Sequence, residues 1–310
     1  MTCENKYLFG PVASRRLGLS LGVEIVPFKT CTYDCPYCEC GSTGVTTLTR
    51  KRWIDSSEVL CELEGFLAED IPADYITITG SGEPTLNSEI GDLIHAIKER
   101  TSIPVAVLTN GSLLSMPEVR KELRESDMVV PSLDAASERV FRRINRPHKS
   151  LVLDTIIEGL IQFRKEYRNS IWLEVLFCRD INDSPDEIRR IIEVTRRINP
   201  ERVQIGSLVR PPAVAGTQPV TYAFLEQVLA QMGETAEIMA PPPACRERVS
   251  RGVSGAEIIN LLQRRPTTAE EMSRAFCMPI HEMHGALGRL VAEGFIISFD
   301  FEGITFYKVK

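Results

Sequence analysis

Three cysteines stand within eight residues of one another near the start of the chain. Cys31, Cys35 and Cys38 follow an apolar run, with three and then two residues between them. Thiolates are soft ligands that favour iron–sulfur clusters and zinc, and four of them normally close a site. Because no obvious fourth cysteine accompanies the triplet, we expect a [4Fe–4S] cluster with one iron open to a substrate.

A zinc site, a disulfide pair and chance clustering are three alternatives to an iron–sulfur cluster. A zinc site would need a fourth Cys or His at matching spacing, and Cys40 has little reach because Gly41 follows it directly. A disulfide pair is uncommon in chains that resemble cytoplasmic proteins. Chance clustering loses weight once the motifs further along the chain are counted.

The spacing resembles the C-x3-C-x2-C signature of the radical S-adenosylmethionine (radical SAM) superfamily, with Tyr37 as the aromatic residue before the third cysteine. Residues 7–18 and 20–23 resemble the lead-in of the branch whose best known members form the wyosine base of tRNA. The resemblance implies a [4Fe–4S] cluster held by the three cysteines and SAM bound at its open iron. It also implies that an external flavodoxin- or ferredoxin-type donor supplies one electron. SAM is then cleaved to a 5′-deoxyadenosyl radical that abstracts hydrogen from a substrate.

The composition limits the class of protein. The chain has 310 residues, 43% of them hydrophobic, which suffices for one large core and a small second domain. Its formal net charge is −6, so no overall positive charge favours non-specific nucleic-acid binding. There is no run of 18 apolar residues, and residues 1–6 lack the apolar core of a signal peptide. We therefore expect a cytoplasmic protein with no membrane partner.

Segments typical of strands alternate with amphipathic helices between residues 20 and 232. The predicted strands are 20–27, 74–79, 103–109, 127–133, 171–177 and 202–208. The predicted helices lie near 56–69, 88–100, 117–125, 137–144, 150–168, 185–198 and 220–232. This alternation requires a parallel sheet with helices packed outside it. Six strand–helix units are too few for an eight-stranded barrel, so we predict an α/β fold with a partial (βα)6 TIM-like barrel, as the resemblance also implies.

Polar or glycine-containing segments follow most of the predicted strands. They are the cysteine loop and residues 80–85, 109–111, 132–134 and 208–212. Ligands of such folds bind at the carboxyl ends of the strands. We therefore expect these segments to form one site.

Ser81, Gly82 and Glu83 follow the second predicted strand and resemble the Gly-Gly-Glu segment of the superfamily, with Ser81 replacing the first glycine. The resemblance implies that this segment offers backbone carbonyls to the methionine amino group of SAM. Gly80 and Gly82 would let a ligand approach the backbone closely. A simple glycine turn before a helix cap is the alternative.

Two further strand exits carry polar pairs, Thr109 with Asn110 and Ser132 with Asp134. The resemblance implies that they bind the ribose hydroxyls or the methionyl carboxylate of SAM, although turn or cap roles explain them equally well. Arg143 lies in a basic segment after a short predicted helix, and its guanidinium is a candidate partner of the SAM carboxylate. A solvated basic helix end is the alternative there.

Cys178 follows the fifth predicted strand and is a weak candidate for a catalytic residue. Its thiol would serve as a hydrogen-atom donor or auxiliary ligand, although packing in the core is the simpler role. Glu174, in the same strand, faces either outward or inward toward SAM or the substrate.

The sequence changes type after Pro241, Pro242 and Pro243. Helices predicted at 255–262, from 267 and at 279–293 precede two strands around 302–303, an order that resembles a winged helix-turn-helix. We therefore predict a radical SAM partial barrel over 1–235, a proline-rich linker over 236–251 and a winged-helix accessory domain over 252–310.

The charge of the last segment argues against DNA as its partner. From residue 252 onward, the sequence contains six Lys and Arg residues and seven Asp and Glu residues. Because phosphate neutralisation provides most non-specific DNA affinity, docking of an RNA, peptide or protein substrate, or dimerisation, is the preferred role.

Taken together, these features predict a radical SAM enzyme, of oxidoreductase or transferase type, that acts on an RNA base, a peptide or a small molecule. The alternative is an iron–sulfur redox-sensing transcriptional regulator whose winged helix binds DNA. A sensor needs neither SAM-binding segments nor a (βα)6 scaffold, and the intact triplet disfavours a catalytically idle paralogue.

Overall fold

A computed structural model describes residues 6–69, 71–239 and 253–310, and its largest element is an eight-stranded sheet. The strands are β1 (Leu8–Ser14), β2 (Gly18–Glu24), β3 (Tyr75–Thr79), β4 (Val105–Thr109), β5 (Met128–Pro131), β6 (Ser170–Phe177), β7 (Arg202–Ser207) and β8 (Ala236–Ile238). They lie side by side in chain order. β1 is antiparallel to β2, and every later pair is parallel. The sheet is open, with β1 and β8 at its edges, and its mostly parallel order confirms the predicted α/β fold.

Helices connect the parallel strands. They are α1 (Ser56–Ala68), α2 (Ile90–Arg100), α3 (Pro117–Glu122), α4 (Glu138–Ile144), α5 (Leu153–Glu166), α6 (Pro185–Ile198) and α7 (Tyr222–Met232). α6 has the bounds that its sequence predicts, because Ser184 caps it, Pro185 starts it and Asn199 ends it in the left-handed conformation. In the part of the chain that the structure describes, no helix combines the length and the apolar character needed to cross a bilayer.

Both faces of the sheet are buried, as a parallel sheet requires. One alternate set of strand residues, including Ile76, Val107 and Leu173, belongs to the main core formed with the helices. The opposite set packs in a smaller cluster made by Leu17, Ala106, Met128 and Val130. The turn between β1 and β2, which contains Leu17, therefore covers part of this second face.

Residues 253–310 form a compact unit, here called the C-terminal module. Its elements are α8 (Gly255–Arg264), β9 (Thr267–Thr268), α9 (Ala269–Phe276), α10 (Ile280–Ala292), β10 (Ile296–Phe301) and β11 (Ile304–Val309). The three strands form a small antiparallel sheet in the order β10-β11-β9. The core of the module, with Met272 and Leu287 at its centre, also includes Val12 of β1. The module thus packs directly on the first strand of the large sheet.

Two strands of the large sheet were not predicted. β1 contains Gly10 and Pro11, and its ladder with β2 shifts register between Phe9 and Val12, so no regular alternation marks it. β8 has only three residues, too few for a periodic pattern. Residues 236–238, the first three of the predicted linker, pair with β7. Residues 240–251, with the three prolines, lie outside the described residues.

Candidate active site at the carboxyl ends of the strands

The three cysteines lie in the loop that leaves the carboxyl end of β2, here called the cysteine loop (residues 25–50). The structure places Cys31, Cys35 and Cys38 at half-buried positions with free thiols. The Cys38 N–H donates to the Cys35 carbonyl at 3.1 Å, which fixes a tight turn between these two residues. The loop therefore holds the backbone of Cys35 close to that of Cys38 and leaves all three thiols free of disulfide bonds.

Amide donors surround the first two sulfur atoms. The Tyr33 N–H lies 3.5 Å from Cys31 Sγ, and Asn110 Nδ2 lies 3.6 Å from the same sulfur. Asn145 Nδ2 lies 3.6 Å from Cys35 Sγ. Burial raises the pKa of the Cys31 thiol to about 12. N–H donors favour the charged form of a ligand sulfur and therefore oppose this effect of burial.

Cys38 has a different environment. Lys29 Nζ lies 3.3 Å from Cys38 Sγ, and it also contacts the Gly41 carbonyl. A hydrogen bond from Cys40 is the largest cause that lowers the pKa of Cys38, and the charge of Lys29 adds to it against the effect of burial, leaving a pKa of about 6. Cys38 is thus the thiol of the triplet most readily available as thiolate.

The donor set of the cysteine loop fits an iron–sulfur cluster. Three half-buried thiols with N–H donors directed at their sulfur atoms are the donor set expected for an iron–sulfur cluster.

The segment after β3 lies directly against the cysteine loop. The Lys29 N–H donates to the Ser81 carbonyl, and the Glu83 N–H donates to the Thr30 carbonyl, both at 2.9 Å. A Cβ added to Gly82 would lie 2.0 Å from Thr30 O. Glycine is therefore required at position 82 for the two loops to meet.

Glu83 has a role that its motif does not reveal. Its side chain is 1% exposed and accepts four hydrogen bonds, two from Thr85 and one each from the Thr109 hydroxyl and the Asn110 N–H, at 2.6–3.0 Å. Burial raises the pKa of Glu83, and the bonds from Thr109 and Thr85 oppose that change. The carboxylate joins the exits of β3 and β4, so it organises the loops around any ligand.

Asp134 likewise connects several segments. One carboxylate oxygen accepts from the Tyr37 hydroxyl at 2.5 Å and from Asn145 Nδ2 at 2.8 Å. The other accepts from the Leu176 N–H at 2.9 Å. Burial raises the pKa of Asp134 to about 6 although these donors favour its charged form. The carboxylate ties the cysteine loop to the exits of β5 and β6.

The remaining predicted residues are not all brought to this site. Ser132 is half-buried at the exit of β5. Arg143 is exposed, and its guanidinium donates to the Asp180 carbonyl at 2.8 Å. Cys178 is fully buried in the main core. Glu174 forms an ion pair with Arg16 from the turn between β1 and β2.

Three charged residues near the site were missed. Lys29 lies beside Cys38, Glu24 accepts hydrogen bonds from Ser81, and Glu39 lies among arginines from distant parts of the chain. Lys29 and Glu39 lie next to the cysteine triplet in the sequence, and this proximity could have identified them as residues of the site. Glu24 contacts Ser81 only because β2 and β3 are neighbours, which a sequence pattern does not reveal.

A large cavity lies at another edge of the sheet. Its volume is about 880 Å³, and it lies between the β7–β8 edge of the sheet and the C-terminal module. Residues that line it include Leu208, Leu225, Arg274 and Phe306, together with Arg15. None of the three cysteines lines it. A volume of this size is typical of ligand pockets.

The family model described as the radical SAM superfamily matches residues 25–194. That segment contains the cysteine loop and the exits of β2 to β6. The chain therefore belongs to the radical SAM superfamily, whose members bind a [4Fe–4S] cluster and SAM.

Several proteins are similar over most of the chain. The UPF0026 protein of Helicobacter pylori (strain J99) is 33% identical over 275 residues, which are 85% of this chain and 86% of that protein. The protein named GTPase Obg of Brachyspira hyodysenteriae is 35% identical over 310 residues, 99% of this chain but 46% of its own length. The chain thus spans less than half of that relative. A dual-specificity RNA methyltransferase RlmN of Syntrophotalea carbinolica is 24% identical over 61% of this chain and 49% of its own length.

Solved structures share the fold at lower sequence identity. A radical SAM methyltransferase from Sphaerobacter thermophilus superposes with a TM-score of 0.51 at 19% identity, covering 75% of this chain and 67% of its own. The FeFe-hydrogenase maturase HydG from Carboxydothermus hydrogenoformans gives 0.52 at 13% identity, covering 82% of this chain and 58% of its own. At these identities the likeness concerns the fold alone.

Proposed function

We propose that this chain is a radical SAM enzyme that cleaves SAM reductively at the cysteine loop and uses the resulting 5′-deoxyadenosyl radical to abstract hydrogen from a substrate. The observation that carries the proposal is the group of three half-buried, unlinked thiols at the exit of β2, with N–H donors from Asn110 and Asn145 near their sulfur atoms. Cys31, Cys35 and Cys38 would hold the cluster, which when bound supplies one electron to the sulfonium of SAM.

The protein's own part is positioning and exclusion of water. Residues 81–83 would place backbone carbonyls beside the methionine amino group, next to the cysteine loop that Gly82 touches. Asn110 also donates from Nδ2 to the Thr32 hydroxyl at 2.8 Å, so its side chain belongs to the cysteine loop as much as to β4.

The structure changes the roles that we propose for the other predicted SAM-binding residues. Thr109 and Asp134 are engaged in buried networks, which suits them to hold loops in place. Ser132 is the residue of the predicted set that is left to bind a ribose hydroxyl. Arg143 would have to leave the Asp180 carbonyl to reach a SAM carboxylate, so we do not retain it as a primary ligand.

For the substrate, we propose an RNA base. The similarity to an RlmN RNA methyltransferase over 196 residues and the resemblance of the lead-in to the wyosine branch support RNA over a peptide or a small molecule. The order of helix, short strand, two helices and hairpin in the C-terminal module supports the proposal of a winged helix, which would help to dock the substrate. The cavity between sheet and module offers space next to Arg15, which lies 3.8 Å from Glu39 in the cysteine loop.

A redox-sensing transcriptional regulator is not supported. The superfamily match and the structural neighbours are those of radical SAM proteins. A sensor would also have no need for the network of Glu83, which orders the strand exits around a ligand site.

The proposal is tested under anaerobic conditions. The protein is reconstituted with iron and sulfide, reduced with dithionite and given SAM, and 5′-deoxyadenosine is quantified by chromatography. We expect product from the wild type and none from Cys35→Ala. Cys40→Ser is the matched control, because it removes a neighbouring thiol outside the triplet while its hydroxyl can still donate a hydrogen bond to Cys38. A wild type that forms a cluster yet neither cleaves SAM nor changes its EPR spectrum with SAM would disprove the enzyme proposal.

The same assay tests the substrate class. If the substrate is an RNA base, added RNA raises the rate of 5′-deoxyadenosine formation, and prior digestion of the RNA by ribonuclease abolishes the rise. An unchanged rate with RNA, but a rise with peptide or small-molecule extracts, would refute the RNA assignment without touching the SAM chemistry.

A further inference from the structure

Two consecutive arginines at the end of α8 extend from the C-terminal module to the cofactor loops. The side chain of Arg264 is about 10% exposed, and its Nε lies 2.8 Å from Glu24 Oε2 at the end of β2. Its guanidinium lies 4.7 Å from the centre of the Phe9 ring, and Nη2 donates to the Lys6 carbonyl at 3.1 Å. Arg264 is therefore held against the first strands of the sheet.

Glu24 also contacts the segment after β3. Its Oε1 accepts from the Ser81 N–H at 3.0 Å and from the Ser81 hydroxyl at 2.7 Å. One carboxylate thus joins Arg264 of the module to the residue beside Gly82. The position of the Ser81–Glu83 segment depends on a side chain from the module.

Arg265 makes the corresponding contact with the cysteine loop. Its Nη1 lies 3.3 Å from Glu39 Oε2, and Glu39 follows Cys38 directly. Glu39 also lies 2.9 Å from Arg210 and 3.8 Å from Arg15, and Arg210 reaches Glu271 of α9 at 2.5 Å. We call these five residues, Arg15, Glu39, Arg210, Arg265 and Glu271, the Glu39 cluster.

The Glu39 cluster is partly buried and carries a net charge. The Arg210 side chain is 3% exposed, whereas those of Glu39 and Arg265 are 29% and 32% exposed. Three arginines lie with two glutamates, so one positive charge remains beside Cys38. Removal of a glutamate would leave the buried guanidinium of Arg210 with one partner fewer, which is costly for a buried charge.

We propose that the C-terminal module is part of the cofactor site, with Arg264 and Arg265 as positioning residues that hold the Ser81–Glu83 segment and the cysteine loop through Glu24 and Glu39. The proposal rests on the function proposed above, because it treats these two loops as the cofactor loops. A module that served only to dock a substrate would not need the buried Arg264 and the half-buried Arg265 to contact both loops.

The first test uses cluster-free protein and hydrogen–deuterium exchange. We expect Arg265→Gln to speed exchange in peptides that cover residues 36–45, and Arg264→Gln to speed it in peptides that cover 80–85. Arg289→Gln, at an exposed position of α10, is the matched control and should change neither. Exchange that is unchanged in both loops of both variants, relative to Arg289→Gln, would overturn the proposal.

The second test measures the midpoint potential of the reconstituted cluster by EPR titration. Loss of a positive charge disfavours an added electron, so Arg265→Gln should lower the potential. Glu271→Gln should raise it, and a glutamine can still complete the cap of α9. Arg265→Lys keeps the charge and should leave the potential near that of the wild type. Shifts of the same sign in Arg265→Gln and Glu271→Gln would indicate general distortion and refute the electrostatic part.

The outcomes separate this proposal from the function on which it rests. If the wild type forms no cluster or does not cleave SAM, the proposed function fails, whatever the exchange results show. If the wild type cleaves SAM while the exchange and potentials of the variants match Arg289→Gln, only the role of the module fails. Far-UV circular dichroism of each variant checks that it has folded.

Discussion

At the scale of single residues, the contact between Gly82 and Thr30 sets how closely two loops approach. The added Cβ of an alanine would lie 2.0 Å from Thr30 O and 2.8 Å from its carbonyl carbon, and both of these are backbone atoms. A Cβ on Gly80 would instead meet nothing nearer than Glu24 Cγ at 3.6 Å. Gly80 therefore has room for a larger side chain, whereas Gly82 does not.

We expect Gly82→Ala to lower the free energy of unfolding by about 1–3 kcal/mol, since the backbone of the cysteine loop must shift. The displaced loop should also retain less iron per chain after reconstitution. Gly80→Ala is the control and should stay within about 0.5 kcal/mol of the wild type. Denaturant unfolding and iron analysis measure both quantities, and equal effects of the two alanines would contradict the close contact.

Asp134 gives the stability a specific dependence on pH. Its folded pKa of about 6 is higher than the value of about 3.9 expected in the unfolded chain, so the folded state binds the proton more tightly. The stabilisation is complete below about pH 4 and is lost as the pH rises through about 6, which amounts to about 3 kcal/mol for a two-unit shift.

Asp134→Asn removes this titration. The difference in unfolding free energy between the wild type and Asp134→Asn should therefore move in favour of the variant between pH 4 and pH 7, as urea unfolding of cluster-free protein can measure. The lost acceptor for Tyr37 or Asn145 adds a constant offset that does not change the slope. Parallel curves for the two proteins would show that Asp134 ionises normally.

At the scale of elements, one buried amide connects the exits of two strands. Asn182 is fully buried, and its Nδ2 donates to the carbonyls of Asp134 and Leu176, both at 2.8 Å. Its Oδ1 accepts from the Cys178 N–H at 2.8 Å. The loop after β6 is thereby fixed to the end of β5, on the side of the sheet where the cysteine loop lies.

Asn182→Ala should destabilise the protein by about 2–4 kcal/mol, because three buried hydrogen bonds worth about 1 kcal/mol each are lost. Asn199→Gly is the control. Asn199 ends α6 with φ 55°, a conformation that glycine adopts without strain, so its replacement should change stability by less than about 0.5 kcal/mol. A small effect of Asn182→Ala in urea unfolding would mean that water replaces the amide.

Elements with strong local signals were predictable. Ser184, Pro185 and Asn199 mark both ends of α6, and the box of Thr268 with Glu271 marks the start of α9. β1 was not predictable in this way, because its partner β2 and the module supply the contacts that make it a strand. Local chemistry fixes the ends of helices, whereas edge strands depend on their neighbours.

At the scale of the whole molecule, β1 joins the two cores. Val12 and Phe9 of β1 pack with the core of the module, while Leu8 of the same strand belongs to the main core. A strand that serves both cores makes their stabilities interdependent. The large sheet and the module should therefore unfold together.

The core of the module tests this coupling through a distant reporter. Both tryptophans, Trp53 and Trp172, lie in the part of the chain that builds the large sheet. Met272 of α9 is fully buried, and Met272→Ala should cost about 2–5 kcal/mol. We expect the denaturant midpoint observed by tryptophan fluorescence to fall accordingly. An unchanged midpoint would show that the module unfolds separately.

The candidate site was predictable where residues close in sequence form it. The triplet of cysteines and the segment around Gly82 have recognisable spacing, and the structure places both at strand exits. The engaged carboxylates of Glu83 and Asp134, and the exposed position of Arg143, were not predictable, because their partners come from other strands and loops. The Glu39 cluster was not predictable either, because its residues come from distant parts of the chain.

The pair of Glu39 and Arg265 spans 226 positions of the chain. On the ribosome, the three thiols therefore emerge long before the arginine that holds the loop beside them has been synthesised. A nascent chain therefore carries the ligands in a loop that is not fixed until α8 has emerged. We accordingly expect iron and sulfide to be delivered after α8 has left the ribosome.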